Sequence, residues 1–95
     1  MVDQALADRA RRTLPGWTLE GDEIVGRWRF PDFASALAAA VHVGALAQRA
    51  DHHPEMRVTW GKLEVRLTTH SKRALTERDL DLASAIHAGL RPPDA

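Results

Sequence analysis

The segment from Lys62 to Thr69 constrains the fold most, because polar and apolar side chains alternate along it without interruption. Successive side chains of a β-strand point to opposite faces, so this alternation predicts a strand with one buried and one wet face. Gly61 suits a tight turn, and Arg57 to Trp60 is predicted as the preceding strand. The apolar face carries Leu63, Val65, Leu67 and Thr69, and the polar face carries Lys62, Glu64, Arg66 and Thr68.

A second hairpin is predicted upstream, with Gly21-Asp22 as its turn. Trp17 and Leu19 indicate its first strand, and the second strand should end near Phe30. Because side chains alternate, one face of this second strand should be buried and the other wetter. The expected buried face carries Ile24, Gly26, Trp28 and Phe30, the wetter face carries Val25, Arg27 and Arg29, and Trp17 and Trp28 are expected in the core.

Three helices are predicted around these hairpins. The first spans Val2 to Thr13 and is stopped by Pro15-Gly16. The second runs from a capping Asp32 to about Ala50, and the third begins at Thr76 and ends at Gly89 and Pro92-Pro93. Apolar residues at helical spacing predict buried stripes, with Phe33, Leu37, Ala40, Val41, Gly44 and Ala47 in the second helix and Leu80, Ala83, Ile86 and Leu90 in the third.

The resulting order is αββαββα, which predicts an α+β fold. Two hairpins with one wet face each imply a four-stranded antiparallel sheet with the three helices packed on its other face. The chain has 95 residues, so residues 1–95 should form a single domain. A chain this short buries limited area, and a subunit interface would add stability.

Composition excludes several classes of function. Lys and Arg number 13, as do Asp and Glu, so the formal net charge of zero gives no basic footprint for duplex nucleic acid. Cysteine is absent, which excludes disulfides, thiolate nucleophiles and cysteine-ligated zinc. The acidic amino terminus lacks an apolar signal core, and no apolar run approaches the ~20 residues that span a bilayer. We therefore expect a cytoplasmic protein with no membrane partner.

Three of the five histidines stand near the ends of predicted strands. His52 and His53 lie between the second helix and the third strand, and His70 lies where the fourth strand ends. Because the two segments flank one hairpin, we expect them to be adjacent in space. Histidine has an unperturbed pKa of ~6.5, so such a cluster suits a reaction that needs both a proton donor and a proton acceptor. Without further evidence, a surface pair with no role is an equally good interpretation of His52 and His53.

The ordered set of residues from position 51 onward resembles a known signature. Asp51-His52-His53-Pro54-Glu55, Trp60, Thr69-His70 and Leu75-Thr76-Glu77-Arg78-Asp79 closely resemble the pterin-4a-carbinolamine dehydratases. The resemblance extends upstream through Trp17 and Phe30-x-x-Phe33 and so covers nearly the whole chain. It implies that a 4a-hydroxytetrahydropterin loses water to give a quinonoid dihydropterin. It also implies that the reaction needs no metal, redox cofactor or covalent intermediate.

The resemblance also implies roles for individual residues. His52, His53 and His70 would line the pterin pocket, with His52 and His70 transferring protons and His53 orienting the ring. Pro54 would stiffen its segment, and Thr69 to Lys72, including Ser71, would contact the substrate. The expected supporting residues are Gln48, Asp51, Trp60 and Asp79, and either Asp51 or Asp79 could orient a histidine ring. Asp79 also has a structural interpretation, as the acidic member of a capping box that starts at Thr76.

Three positions depart from the resemblance. Gln48 stands where an acidic or basic residue is usual, Met56 replaces a frequent aromatic, and Arg73-Ala74 replaces a common glycine pair. The turn at Arg73-Ala74 is therefore expected to adopt a conformation that β-carbons tolerate. Gln48, one helical turn before His52, is expected to reach the histidine cluster.

Two alternatives remain open from sequence. Three histidines can hold zinc, although adjacent His52 and His53 project in different directions and no His-x-x-x-His accompanies them. The chain could also be a non-catalytic family member that binds or assembles other proteins, since the resemblance includes such members. The resemblance further implies a homodimer or homotetramer and a functional link to an aromatic amino acid hydroxylase.

Overall fold

The computed structural model describes residues 3–90 and contains the predicted order of elements. Val2 and Pro92-Pro93, which were assigned to helix ends, lie outside the described residues. A short 3₁₀ turn, His70–Lys72, lies between the last strand and the last helix. The elements are α1 (Gln4–Thr13), β1 (Thr18–Glu20), β2 (Glu23–Arg29), α2 (Phe33–Ala50), β3 (Glu55–Thr59), β4 (Lys62–Leu67) and α3 (Glu77–Gly89).

The four strands form one antiparallel sheet in the order β1-β2-β4-β3. Side chains on its inner face pack against the helices, and Ile24, Trp28 and Val65 are at most 3% exposed. This confirms the α+β prediction, including the alternation along β4. Trp17 and Trp28 pack edge to face with ring centroids 5.4 Å apart.

Val25 is a correction, because the face of β2 predicted to be wetter buries it to 1% exposure. Its neighbour in the ladder on β4 is Arg66, whose guanidinium reaches Glu23 at 3.0 Å and Glu20 at 3.4 Å. The alkyl part of Arg66 therefore extends across Val25 while the charged group remains at the surface. The outer face is polar, as predicted, but its ion pairs shield this one apolar side chain.

The buried face of α2 is also a correction. Ala40 and Ala47 face the core as predicted, but the large members of the predicted stripe do not. Phe33, Leu37 and Val41 are 47%, 46% and 66% exposed. The core-facing side chains are instead mostly small, namely Ala36, Ala39, Ala40, Val43 and Ala47.

Helix α3 follows its prediction closely. Leu80, Ala83 and Ile86 are fully buried, and Leu90 packs against the core from the end of the helix. His87 is buried on the same helix, and its Nδ1 accepts a hydrogen bond from Trp17 Nε1 at 3.1 Å. Across residues 3–90, no helix has the length and apolarity needed to cross a membrane.

Candidate active site

The chain reverses direction at Asp51, immediately before the first two candidate histidines. Asp51 has φ 51° and ψ 44°, a left-handed conformation that aspartate tolerates better than most residues. The amide of His52 then donates to the Ala47 carbonyl at 3.1 Å. The helix end thus turns His52 inward, and its side chain is 8% exposed.

His52 is held by a buried carboxylate. Its Nε2 lies 2.5 Å from Oδ1 of Asp79, which is fully buried on the first turn of α3. A carboxylate can only accept a hydrogen bond, so Nε2 of His52 carries the proton and donates the bond to Oδ1 of Asp79. Nδ1 is consequently the nitrogen of His52 that is left for other chemistry.

The second oxygen of Asp79 joins the start of α3 to the end of β4. Oδ2 accepts from the Thr76 amide at 2.8 Å, completing a capping box, and from the Thr69 hydroxyl at 2.8 Å. Because Thr69 donates its proton to Asp79, the Thr76 hydroxyl donates to Thr69 across their 2.6 Å contact. Both interpretations of Asp79 therefore hold together: it caps the helix and it orients His52. Asp51 makes no side-chain hydrogen bond among residues 3–90, and its carbonyl accepts from Arg78.

Gln48 reaches His53 rather than His52. The Nε2 atom of His53 lies 3.0 Å from Oε1 of Gln48, and both side chains are exposed. An amide oxygen accepts, so this contact places the proton of a neutral His53 on Nε2. The glutamine therefore orients the second histidine as Asp79 orients the first.

The segment after β4 closes on itself around His70. Thr69 and Ala74 form an isolated antiparallel bridge, and the Arg73 amide donates to the His70 carbonyl at 3.1 Å. Arg73 has φ 51° and ψ 41°. This left-handed conformation is one that a residue with a β-carbon can adopt, although at a cost that glycine would not have. The side chain of His70 is exposed.

The three histidines do not line one common cavity among those described. His52 lines a cavity of about 440 Å³ between α2 and α3, while His70 lines one of about 490 Å³ beside the β1–β2 turn. His53 lines neither cavity. The structure instead connects the two histidine segments through hydrogen bonds, from His52 to Asp79 to Thr69, the residue before His70.

The remaining predicted site residues lie at the margins. Pro54 is half-buried, and Ser71 and Lys72 are exposed. Trp60 is 71% exposed in the turn between β3 and β4 and lines none of the three cavities described.

Sequence reasoning missed most of the residues around His52. Arg49 of α2 and Arg78 of α3 line its cavity together with Asp81, which Arg9 binds at 2.9 Å. The residues that line this cavity recur every three or four positions along α2 and along α3. Such spacing places side chains on one face of a helix, so it could have indicated a shared surface from the sequence. Between residues 3 and 90, no cluster of three or more histidine or acidic side chains is arranged to hold a metal ion.

Comparison with known proteins places this arrangement in a family. A family model described as pterin 4 alpha carbinolamine dehydratase matches residues 1–88. A protein of Roseiflexus sp. (strain RS-1) is 45% identical over 85 residues, covering 90% of this chain and 86% of its own length. One from Natronomonas pharaonis is 42% identical over 84 residues, covering 87% and 91%. Both relatives carry the name "Putative pterin-4-alpha-carbinolamine dehydratase".

Solved structures share the fold. A Brucella melitensis protein described as a transcriptional coactivator/pterin dehydratase superposes with a TM-score of 0.81 at 30% identity, covering 92% of this chain and 95% of its own. A pterin dehydratase-like protein described as a RuBisCO assembly factor in the alpha-carboxysome gives a TM-score of 0.62 at 17% identity, covering 79% and 87%. The second comparison supports the fold alone.

Proposed function

Because the chain belongs to the pterin 4 alpha carbinolamine dehydratase family, we propose that it is a hydro-lyase acting on a 4a-hydroxytetrahydropterin. The bond between C4a and the hydroxyl oxygen breaks, and that oxygen takes up a proton and leaves as water. The neighbouring ring nitrogen loses a proton, which gives the quinonoid dihydropterin. The observation that carries this proposal is the buried hydrogen bond between His52 and Asp79.

The hydrogen bond to Asp79 would allow His52 to act as the general base. With the proton of the neutral ring held on Nε2, the lone pair on Nδ1 can accept the proton from the pterin nitrogen. His70 then donates the proton to the departing oxygen, and His53, oriented by Gln48, positions the ring. Atoms and charges balance through these two proton transfers, and we propose that the reaction needs no metal, redox cofactor or covalent intermediate.

Further substrate contacts and the setting belong to the same proposal. Pro54, Thr69, Ser71 and Lys72 would contact the pterin, because they adjoin the three histidines in sequence. The reaction would regenerate a pterin cofactor in the cytoplasm, beside an aromatic amino acid hydroxylase that produces the 4a-hydroxy compound.

The direct test is an assay of 4a-hydroxytetrahydrobiopterin dehydration by the purified protein. His52→Ala and His70→Ala should each lower the rate by roughly a hundredfold or more, the usual scale for losing a positioned acid or base. His42→Ala, which removes an exposed α2 histidine, is the matched control and should keep the wild-type rate. Full activity in both site variants would refute the assignment. Activity lost on chelation and restored only by zinc would refute the metal-free mechanism.

A second candidate function is protein binding or assembly without catalysis. It is favoured by the separation of His52 and His70 into different cavities and by the solved relative described as a transcriptional coactivator/pterin dehydratase. A folded wild-type protein that showed no dehydration above the spontaneous rate would support this candidate over the enzyme.

We also propose that the chain forms a homodimer or homotetramer. Phe33, Leu37 and Val41 recur every four residues on α2 and leave a stripe of large apolar side chains at the surface. Such a stripe on a small domain is stabilised when a second copy covers it.

A further inference from the structure

The outer face of the sheet carries a group of cations that the proposed dehydration does not use. The pairing register aligns Arg29 of β2 with Lys62 of β4, so two positive side chains stand directly opposite each other. Arg57 of β3 lies on the same face, one row further along. Arg29, Lys62 and Arg57 form what we call the cationic cluster, and all three are exposed.

None of these three charges is neutralised among residues 3–90, where none makes a hydrogen bond or ion pair. Arg57 stands opposite Glu64, but Glu64 is already engaged on both oxygens. Arg27 donates to one at 2.9 Å, and Arg66 donates to the other at 3.0 Å. The neighbouring Arg27 and Arg66 are therefore paired with a carboxylate, whereas the three cations of the cluster form no ion pair among residues 3–90.

The cluster also has a shape that can receive a ligand. Arg29, Arg57 and Lys62 line a cavity of about 640 Å³ on this face, together with Arg27, Trp28, Thr59, Leu63 and Glu64. Like charges directly opposite in an antiparallel ladder destabilise the sheet. The whole chain has a net charge of zero, so the cluster does not follow from a generally basic composition. The repulsion between Arg29 and Lys62 destabilises the sheet, and no carboxylate of the described residues pairs with either side chain. A ligand that supplies negative charge would remove this repulsion.

We propose that the cationic cluster binds a short acidic segment of a partner protein. The cluster spans two rows of the ladder, a length of ~7 Å, which matches a few carboxylates. The adjoining row ends in Glu55, which would oppose a longer uniform polyanion such as a nucleic acid duplex. Trp60 directly follows Thr59 of this site and exposes 71% of its surface. Tryptophan and arginine are the residues that most often carry binding energy at protein interfaces.

The test is binding of a short fluorescein-labelled peptide of glutamate and leucine, followed by fluorescence anisotropy at low salt. Arg57→Gln and Lys62→Gln should each weaken the affinity roughly two- to fivefold, as expected for exposed charges. Arg12→Gln, which removes an exposed arginine of α1, is the matched control and should not change it. Equal binding by the control and cluster variants, or no binding by the wild type, would overturn the proposal.

Two further measurements separate this proposal from its alternatives. A short DNA duplex or inorganic tripolyphosphate that bound as tightly as the peptide would overturn the assignment to an acidic protein segment. Lys62→Glu places a carboxylate opposite Arg29, so it should raise the midpoint of thermal unfolding while weakening peptide binding more than Lys62→Gln does. A lowered midpoint would contradict the inference that Arg29 and Lys62 repel each other in the wild type. Dehydratase activity should be unchanged in these variants.

Discussion

At the scale of single residues, Asp79 binds His52 through one carboxylate oxygen and both Thr69 and Thr76 through the other. We predict that Asp79→Asn lowers the dehydration rate by roughly a hundredfold. The single oxygen of asparagine is needed by the Thr76 amide, which turns the amide nitrogen toward His52 and forces the proton of that ring onto Nδ1. Nitrogen-15 NMR of His52 reports the tautomer directly. An unchanged tautomer with a lowered rate would show that Asp79 acts in some other way.

Asp51→Asn is the matched control for that variant, since the Asp51 carboxylate makes no hydrogen bond among residues 3–90. Asparagine also tolerates the left-handed backbone of this position. The rate and the His52 tautomer should both stay as in the wild type. If Asp51→Asn lowered the dehydration rate as much as Asp79→Asn does, Asp51 rather than Asp79 would be the residue that orients His52.

Gln48 contacts His53, and we expect it to affect the pH dependence of the proposed reaction. Replacing its neutral oxygen by a carboxylate in Gln48→Glu should hold the proton on His53 to higher pH, because the charge attracts the protonated ring. We therefore predict that the acidic limb of the pH–rate profile moves upward. Gln48→Ala removes the contact without adding charge and serves as the control. Coincident profiles for Gln48→Glu and the wild type would show that position 48 is not coupled to catalysis.

Arg73 illustrates a conformational cost at one residue. A left-handed backbone costs ~1–2 kcal/mol for a residue with a β-carbon. Glycine avoids this cost, but its greater conformational freedom in the unfolded state offsets ~0.5–1 kcal/mol of the gain. Arg73→Gly should thus raise the free energy of unfolding by about 0.5–1 kcal/mol. Urea denaturation measures it. Lys72→Gly, in the 3₁₀ turn without a positive φ, should lower stability instead, and a gain there would contradict the argument.

At the scale of elements, charges on β1, β2 and β4 connect the strands across the outer face. Arg27, whose guanidinium donates to Glu20, holds the pKa of that carboxyl down to about 2 from its ordinary 4.5, and the Thr18 hydroxyl adds to the effect. A depressed pKa contributes stability that is complete above the unfolded value and is lost as pH falls toward the folded one. We predict declining stability between pH 4.5 and about 2.

Glu20→Gln should flatten this acid limb in urea titrations repeated across the pH range. Glu55→Gln is the matched control, because Glu55 is exposed on the same face and makes no hydrogen bond among residues 3–90. An acid limb that persists in Glu20→Gln and disappears in Glu55→Gln would contradict the assignment.

At the scale of the whole molecule, assembly should depend on the exposed stripe of α2. We predict that Leu37→Glu shifts the wild-type oligomer toward a monomer of 10.5 kDa, because a carboxylate in an apolar interface is costly to desolvate. Light scattering at micromolar concentration measures the shift. Ala38→Glu, at an exposed position outside the stripe, is the control. A wild-type protein that is already monomeric would refute the proposed oligomer.

Local pattern was sufficient for the order of elements, the antiparallel sheet and the alternation along β4. These features follow from neighbouring residues, because the periods of a strand and a helix differ and because turns require particular residues. The helix bounds at Thr13, Ala50 and Gly89 were predicted for the same reason. The candidate histidines were found through an ordered motif, and their catalytic roles stay predictions.

Tertiary packing decided what local pattern left ambiguous. Helix α2 is apolar on more than one face, so periodicity alone could not select Ala36 and Val43 over Leu37 and Val41 for the core. Val25 is buried because Arg66 reaches across it from another strand. His52 and Asp79 lie 27 residues apart in sequence, and their bond exists only because α3 docks against the end of α2. Contacts of this kind depend on how elements pack, which the sequence of any one element does not contain.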